Sequence, residues 1–233
     1  MSDVHTICLI PARSGSKGIK NKNIRSLGQK PLLAWSIEIA KHTPELHNVY
    51  VTTDGSKIAE VARNYNVEVI ERPPNLATDK SPIVRTVKHA ISNLTNKNIS
   101  MDNIVLLEPT CPFRSRKDIQ ACLQTLNQGY DSCATFAPSE TPPSRLWTLD
   151  EETPKPLLEG SNPWLPRQSL GKAYKLNGAC YAFKTRKLIK HSQANLLFGK
   201  IGSVVMPAER SIDIDTPMDL EFARTMLRNR DIK

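Results

Sequence analysis

Seven short runs of apolar and β-branched residues punctuate the chain, at residues 5–10, 49–53, 67–70, 104–108, 132–137, 179–183 and 203–206, and each reads as a β-strand. Between several of them the hydrophobic spacing lengthens to that of a helix. Pro31 suits a first helical position, and the run to Lys41 carries Leu32, Leu33, Trp35, Ile37 and Ile39. Ser56 is placed to cap a helix with Ile58, Val61, Ala62 and Tyr65 on one face. Val84, Val87, Ile91 and Leu94 repeat the spacing, as do Ile119, Cys122, Leu123 and Leu126, and Pro217 opens a last helix that turns Leu220, Ala223 and Leu227 inward. Alternating strands and helices predict an α/β fold: a mainly parallel, twisted sheet with helices on both faces. Ligands of such sheets bind beyond the carboxyl ends of the strands, so chemistry is sought in the loops that follow them.

One region breaks this rhythm. Prolines 138, 142, 143, 154, 156, 163 and 166 are interleaved with Trp147, Leu149, Leu157, Leu158 and Trp164. The stretch is too apolar for a disordered linker and too rich in proline for a helix. It reads as an extended arm with a short hairpin, spanning 138–176 and protruding from a single domain that covers 1–233.

Composition narrows the function classes. With 233 residues, 39% hydrophobic and 24% charged, the chain is of ordinary globular type. No run of about 18 apolar residues is present, so no membrane partner is expected, and the amino terminus lacks the features of a secretion signal. The net charge of +9 is scattered, without interleaved aromatics, which speaks against a nucleic-acid partner. Five cysteines, none in C-x-x-C, fit a reducing cytoplasm. The five histidines show no metal-ligand spacing.

The first strand breaks into Pro11-Ala12-Arg13-Ser14-Gly15-Ser16-Lys17-Gly18, followed by Lys20, Lys22-Asn23 and Arg25. Small residues let backbone N–H groups approach an oxyanion, and the cations neutralise it, so a polyphosphate is the natural guest. Neither G-x-x-x-x-G-K-[ST] nor G-x-G-x-x-G is present. Near the other end stands Ser211-Ile212-Asp213-Ile214-Asp215-Thr216-Pro217. Residues two apart in an extended segment point the same way, so Asp213 and Asp215 present paired carboxylates suited to Mg²⁺. A helix cap ahead of Pro217 is the alternative reading of the same pair.

Together these strings resemble the acylneuraminate cytidylyltransferases, which make CMP-sialic acids, and their relatives for other nonulosonic acids. The resemblance covers residues 5 to 227. It implies a nucleotide-diphospho-sugar transferase-like fold whose proline-rich arm packs against a second subunit in a homodimer, with pairing of dimers into tetramers left open. It implies that Arg13, Lys17, Lys22, Asp213 and Asp215 are catalytic, the two acids holding the metal. Nucleotide binding falls to Ala12, Arg13, Ser14, Gly15, Lys17 and Asn23, to Arg72, Asp79 and Ser81 in the segment that receives cytosine and ribose, and to Pro109 and Thr110. The sugar acid falls to Glu108, Arg145, Arg167, Tyr181 and Phe198, the last of which reads equally as a core residue. Glu108 departs from the family's usual Gln; an ionised carboxylate cannot donate a hydrogen bond, which points to an acceptor other than N-acetylneuraminate.

The implied activity is a cytoplasmic, Mg²⁺-dependent transfer of CMP from CTP to the C2 hydroxyl of a nonulosonic acid such as N-acetylneuraminate or legionaminate, with release of pyrophosphate. Metal binding lowers the hydroxyl's pKa, and no His or Glu announces itself as a separate strong base. The alternatives are a 3-deoxy-manno-octulosonate cytidylyltransferase and a non-catalytic nucleotide-binding module.

Overall fold

The computed structural model describes residues 4–231. Its strands are β1 (Thr6–Pro11), β2 (Ser26–Leu27), β3 (Lys30–Pro31), β4 (Asn48–Thr53), β5 (Glu68–Glu71), β6 (Asn103–Leu106), β7 (Ser132–Pro138), β8 (Trp147–Asp150), β9 (Thr153–Pro156), β10 (Tyr174–Lys184) and β11 (Ile201–Val205). Its helices are α1 (Leu32–Lys41), α2 (Ser56–Asn64), α3 (Ile83–Asn96), α4 (Arg116–Asn127), α5 (Thr185–Lys190) and α6 (Pro217–Asp231). Seven strands form one sheet in the order β11-β7-β10-β6-β1-β4-β5. β10 runs antiparallel to both of its neighbours, while the remaining pairings are parallel.

Alternation within the strands divides the core. Cys8 and Ile10 of β1 face Leu33 and Ile37 of α1, Ile58 and Ala62 of α2, and Ile119, Cys122 and Leu126 of α4. Ile7 and Leu9 point the other way, to Val84, Val87 and Ile91 of α3 and Leu188 of α5. Helices therefore cover both faces, which is why the central strands read as continuous apolar runs. α6 closes a third cluster, packing Leu220 and Ala223 against Leu27, Leu32, Phe113 and Ile214. No helix among the described residues is long and apolar enough to cross a membrane.

Some local expectations shift. Pro31 precedes α1 rather than opening it, and Gly55, not Ser56, takes the cap position of α2. A Cβ at residue 55 would lie 3.0 Å from the Ser14 side chain, so the loop after β1 presses on this turn. β10 starts at Tyr174, inside the arm as read from sequence, because Tyr174–Leu176 pair with Phe136–Pro138 of β7 before the register shifts at Gly178, whose φ is +67°. The arm is thus rooted in two antiparallel strands and carries the β8–β9 hairpin beyond them. α5 and the two-residue β2–β3 ladder had no counterpart in the hydrophobic pattern.

Candidate active site

The loops leaving β1, β5 and β6 and the segment after β11 meet at the carboxyl rim of the sheet. Pro11, Arg13, Lys17, Gly18, Lys22, Asn23, Arg72, Glu108, Pro109, Thr110 and Asp215 line a cleft of about 410 Å³ there. The loop after β1 is braced from behind. The Ala12 amide donates to the Thr52 carbonyl at 3.0 Å, and the buried Asn23 side chain donates to the Arg13 carbonyl at 2.9 Å. Ser14 gives its amide and hydroxyl to the Asp54 carboxylate at 2.9 and 2.5 Å. Burial pushes the Asp54 carboxyl up, but the Ser14 bonds overrule it and hold the group below its usual range. Asp54 is a brace that the sequence alone did not assign: Val51-Thr52-Thr53-Asp54-Gly55 reads equally well as a structural turn.

The loop cations are engaged by this chain's own carboxylates. Arg13 and Lys17 both reach Asp79, at 2.5 and 2.8 Å. Bonds from Lys17 and then Arg13 hold the exposed Asp79 carboxyl below its ordinary value. Arg72 is buried and donates Nη2 to the Thr52 carbonyl at 2.7 Å, while its Nε has no partner. Burial pulls its pKa down to about 10, against the pull of Asp54. Ser81 lies in the same strap, its amide bonded to the Thr78 carbonyl and its buried hydroxyl unpartnered.

The two ends of the chain meet across this cleft. Lys22 Nζ lies 2.7 Å from Asp215 Oδ1. A Cβ added at Gly18 would stand 2.1 Å from the Asp215 carbonyl oxygen, so only glycine permits that approach. At Gly15 nothing lies within 4 Å, so the demand for glycine falls on residue 18 rather than 15.

The helix-cap alternative for the paired acids fails, because α6 is capped by other groups. Asp219 accepts from the Asp215 and Thr216 amides at 3.1 and 2.7 Å, and the Thr216 hydroxyl accepts the Asp219 amide at 3.3 Å. Asp213 and Asp215 are both exposed, with Ile214 buried between them. They do not open on one hollow: Asp215 lines the cleft, whereas Asp213 lines a neighbouring hollow of about 690 Å³ with Asn177, Lys175 and Phe222. Among the described residues no group of three or more His, Cys, Asp or Glu is close enough to hold an ion unaided. The carboxylate oxygens are of the hard type that suits Mg²⁺, but only Asp215 presents them to the cleft.

Glu108 follows β6 and lines the floor of the cleft, its side chain mostly buried. Burial, then the charge of Asp213, pushes its pKa up to about 7, with Arg114 opposing. Tyr181 stands behind it, its phenol pushed up by burial and then by Glu108. Pro109 and Thr110 line the cleft, and the Thr110 carbonyl accepts the Ile214 amide at 2.9 Å, fixing the acidic segment to the β6 loop.

Of the residues assigned to the sugar only Glu108 lines this cleft: Tyr181 lies behind it, and Arg145, Arg167 and Phe198 are held elsewhere. Arg145 spends its guanidinium on the Pro163 and Leu165 carbonyls, both at 3.1 Å, within the arm. Arg167 donates to the Glu140 carbonyl at 3.3 Å. Phe198 is buried at the opposite rim, bonded through its backbone to Ser132 at the start of β7 and stacked on His191 with 4.9 Å between ring centroids. Its apolar ring is explained by core packing, which corrects the sugar-facing expectation.

Comparison with known proteins accords with this geometry. The cytidylyltransferase family profile matches residues 7–150. The N-acylneuraminate cytidylyltransferase of Escherichia coli O18:K1:H7 is 34% identical over 96% of this chain and 52% of its own length, so this chain spans about half of that relative. The CMP-N,N'-diacetyllegionaminic acid synthase of Legionella pneumophila is 31% identical over 95% of each chain. A CMP:2-keto-3-deoxy-manno-octonic acid synthetase solved with CTP superposes with a TM-score of 0.72 at 16% identity, covering 97% of this chain and 99% of its own, a likeness of fold alone. The profile match and the full-length likeness to the Legionella protein place the chain in the cytidylyltransferase family.

Proposed function

We propose that this chain transfers CMP from CTP to the C2 anomeric hydroxyl of a sialic-type nonulosonic acid, releasing pyrophosphate. One observation carries the reading: Gly18 and Lys22 of the early loop touch Asp215 of the late acidic segment, so a cationic cradle and a carboxylate share one cleft. Nucleotidyl transfer needs that pairing, because charge develops on phosphate oxygens and the protein's work is positioning and electrostatics. The likeness to an N-acylneuraminate cytidylyltransferase and to a CMP-N,N'-diacetyllegionaminic acid synthase supports the substrate class.

In this reading Arg13, Lys17 and Lys22 neutralise the triphosphate, the first two leaving Asp79 as phosphate oxygens arrive. Ala12, Ser14, Gly15 and Asn23 shape the loop that carries them. Arg72, Asp79, Ser81, Pro109 and Thr110 border the nucleoside. The acceptor's hydroxyl oxygen bonds to the α-phosphorus as the bond to pyrophosphate breaks, and the hydroxyl proton passes to solvent. Asp213 and Asp215 would hold Mg²⁺, which when bound screens phosphate charge and lowers the hydroxyl pKa. Glu108 and Tyr181 face the acceptor side. Arg145 and Arg167, carried away from their own cleft, would serve the acceptor carboxylate in a second copy of the chain, making the enzyme a homodimer. The exposed Trp147, Leu149 and Trp164 of the arm support burial against such a copy. A cytoplasmic setting is supported by five free, buried cysteines.

The test is pyrophosphate release with CTP and Mg²⁺ across N-acetylneuraminate, N,N'-diacetyllegionaminate and 3-deoxy-manno-octulosonate, with the product identified by mass spectrometry. A CMP-nonulosonate is expected. Turnover of the eight-carbon acid alone, or nucleotide binding without turnover, would overturn the assignment.

A further inference from the structure

Arg114 is a buried arginine with no carboxylate paired to it among the described residues. Taking a guanidinium out of water carries a large desolvation penalty, so its retention calls for work that a neutral side chain does not do. Its two terminal nitrogens are committed. Nη1 donates to the Ser36 hydroxyl of α1 at 2.6 Å, and Nη2 donates to the Glu108 carbonyl. Ser36 donates in turn to the same carbonyl at 3.4 Å, so that one peptide oxygen is gripped from two sides. The gripped peptide leads into Pro109-Thr110, and the Thr110 carbonyl holds the Ile214 amide at 2.9 Å. Asp213 and Asp215 flank Ile214. A path of hydrogen bonds joined by short stretches of backbone therefore runs from Arg114 through the β6 loop to the segment that holds both late acids. The guanidinium charge also acts on Glu108, where it opposes the repulsion from Asp213 and Asp215.

We infer that Arg114 is a positioning residue for nucleotidyl transfer: it fixes the Glu108–Thr110 turn and, through Thr110 and Ile214, the placement of Asp215 at the cleft and of Asp213 in the hollow beside it. It touches neither nucleotide nor acceptor. The inference rests on the proposed function for its kinetic readout and on backbone order for an independent one.

The test compares wild type with Arg114→Lys, which keeps the charge but cannot reach Ser36 and Glu108 with a planar fork. Turnover is measured with CTP, Mg²⁺ and whichever of N-acetylneuraminate or N,N'-diacetyllegionaminate the wild type converts, and amide hydrogen exchange is followed in the same proteins. In a folded variant, kcat falls about 100-fold while the KM for CTP stays within about threefold, because misplacement of the acids costs the transition state rather than nucleotide binding. Exchange at residues 110–111 and 213–216 rises about tenfold, with β1 and α4 unchanged. Wild-type kcat in Arg114→Lys, or unchanged exchange at 213–216, would overturn the inference. If the wild type turns nothing over, the functional assignment fails while exchange still decides the role of Arg114. If Arg114→Lys does not fold, Ser36→Ala is read in its place: faster exchange at 110–111 is expected, and no change overturns the inference.

Discussion

Lys22 and Asp215, separated by 193 positions in sequence, meet at 2.7 Å across the cleft. The Lys22 side chain is only 15% exposed against 80% for Lys17, although Asp215 is more exposed than Asp79. Asp215→Asn removes a carboxylate proposed to act on the transition state while leaving the cradle's positive charge in place. Turnover is expected to fall about 10²–10³-fold, the scale of about 3–4 kcal/mol of electrostatic stabilisation. CTP affinity without Mg²⁺, read by calorimetry, should hold or improve.

Asp79 occupies the cations that an incoming triphosphate needs. Both of its ion pairs are exposed to solvent, which screens them, so phosphate displaces them readily. Asp79→Asn should tighten inorganic triphosphate binding about two- to fivefold at low salt, an advantage that shrinks as ionic strength rises.

Gly18 and Gly15 separate a steric requirement from a compositional one. Gly18→Ala drives a Cβ into the Asp215 carbonyl, a backbone atom that cannot swing aside. It should weaken CTP binding and cost about 1–3 kcal/mol of stability, the usual cost of overpacking. Gly15→Ala meets open space and should leave both nearly unchanged. Thermal melts with and without CTP report the difference.

Glu108 links acceptor choice to pH. Burial, then the charge of Asp213, raises its pKa to about 7 from the ordinary value of 4.5. The native chain therefore holds this proton more tightly than the unfolded chain, and stability falls as pH rises from about 4.5 through 7. Glu108→Gln, which cannot ionise, should be more stable than wild type at pH 8 by up to about 3 kcal/mol, with the gap closing by pH 5. In kinetics on a panel of nonulosonic acids, the same substitution should move preference toward N-acetylneuraminate. Melting curves across pH and relative kcat/KM values check the two effects.

The sheet strands were legible because each is locally distinct: a short apolar run such as Ile7–Ile10 needs no knowledge of its neighbours to read as a buried strand. The loop with Arg13, Lys17 and Lys22 and the string holding Asp213 and Asp215 are likewise contiguous, so both could be singled out in place. What escaped depends on partners far off in sequence. Asp54 braces Ser14, 40 positions away, and Arg114 grips Ser36, 78 positions away; neither residue type reveals that from its own surroundings. Phe198 failed for the converse reason. An aromatic residue ahead of a glycine suits a binding loop and a core equally well, and its distance from the cleft is set by chain direction.

Chain direction has a larger consequence through β10. Because it alone runs counter to the sheet, the excursion threaded between β7 and β10 leaves and returns beside the working cleft instead of at the far end of the molecule. Residues 139–173 form an interchangeable attachment on a constant chassis. Lengthening or rewriting them is expected to leave the Arg13–Asp79 and Lys22–Asp215 pairs in place.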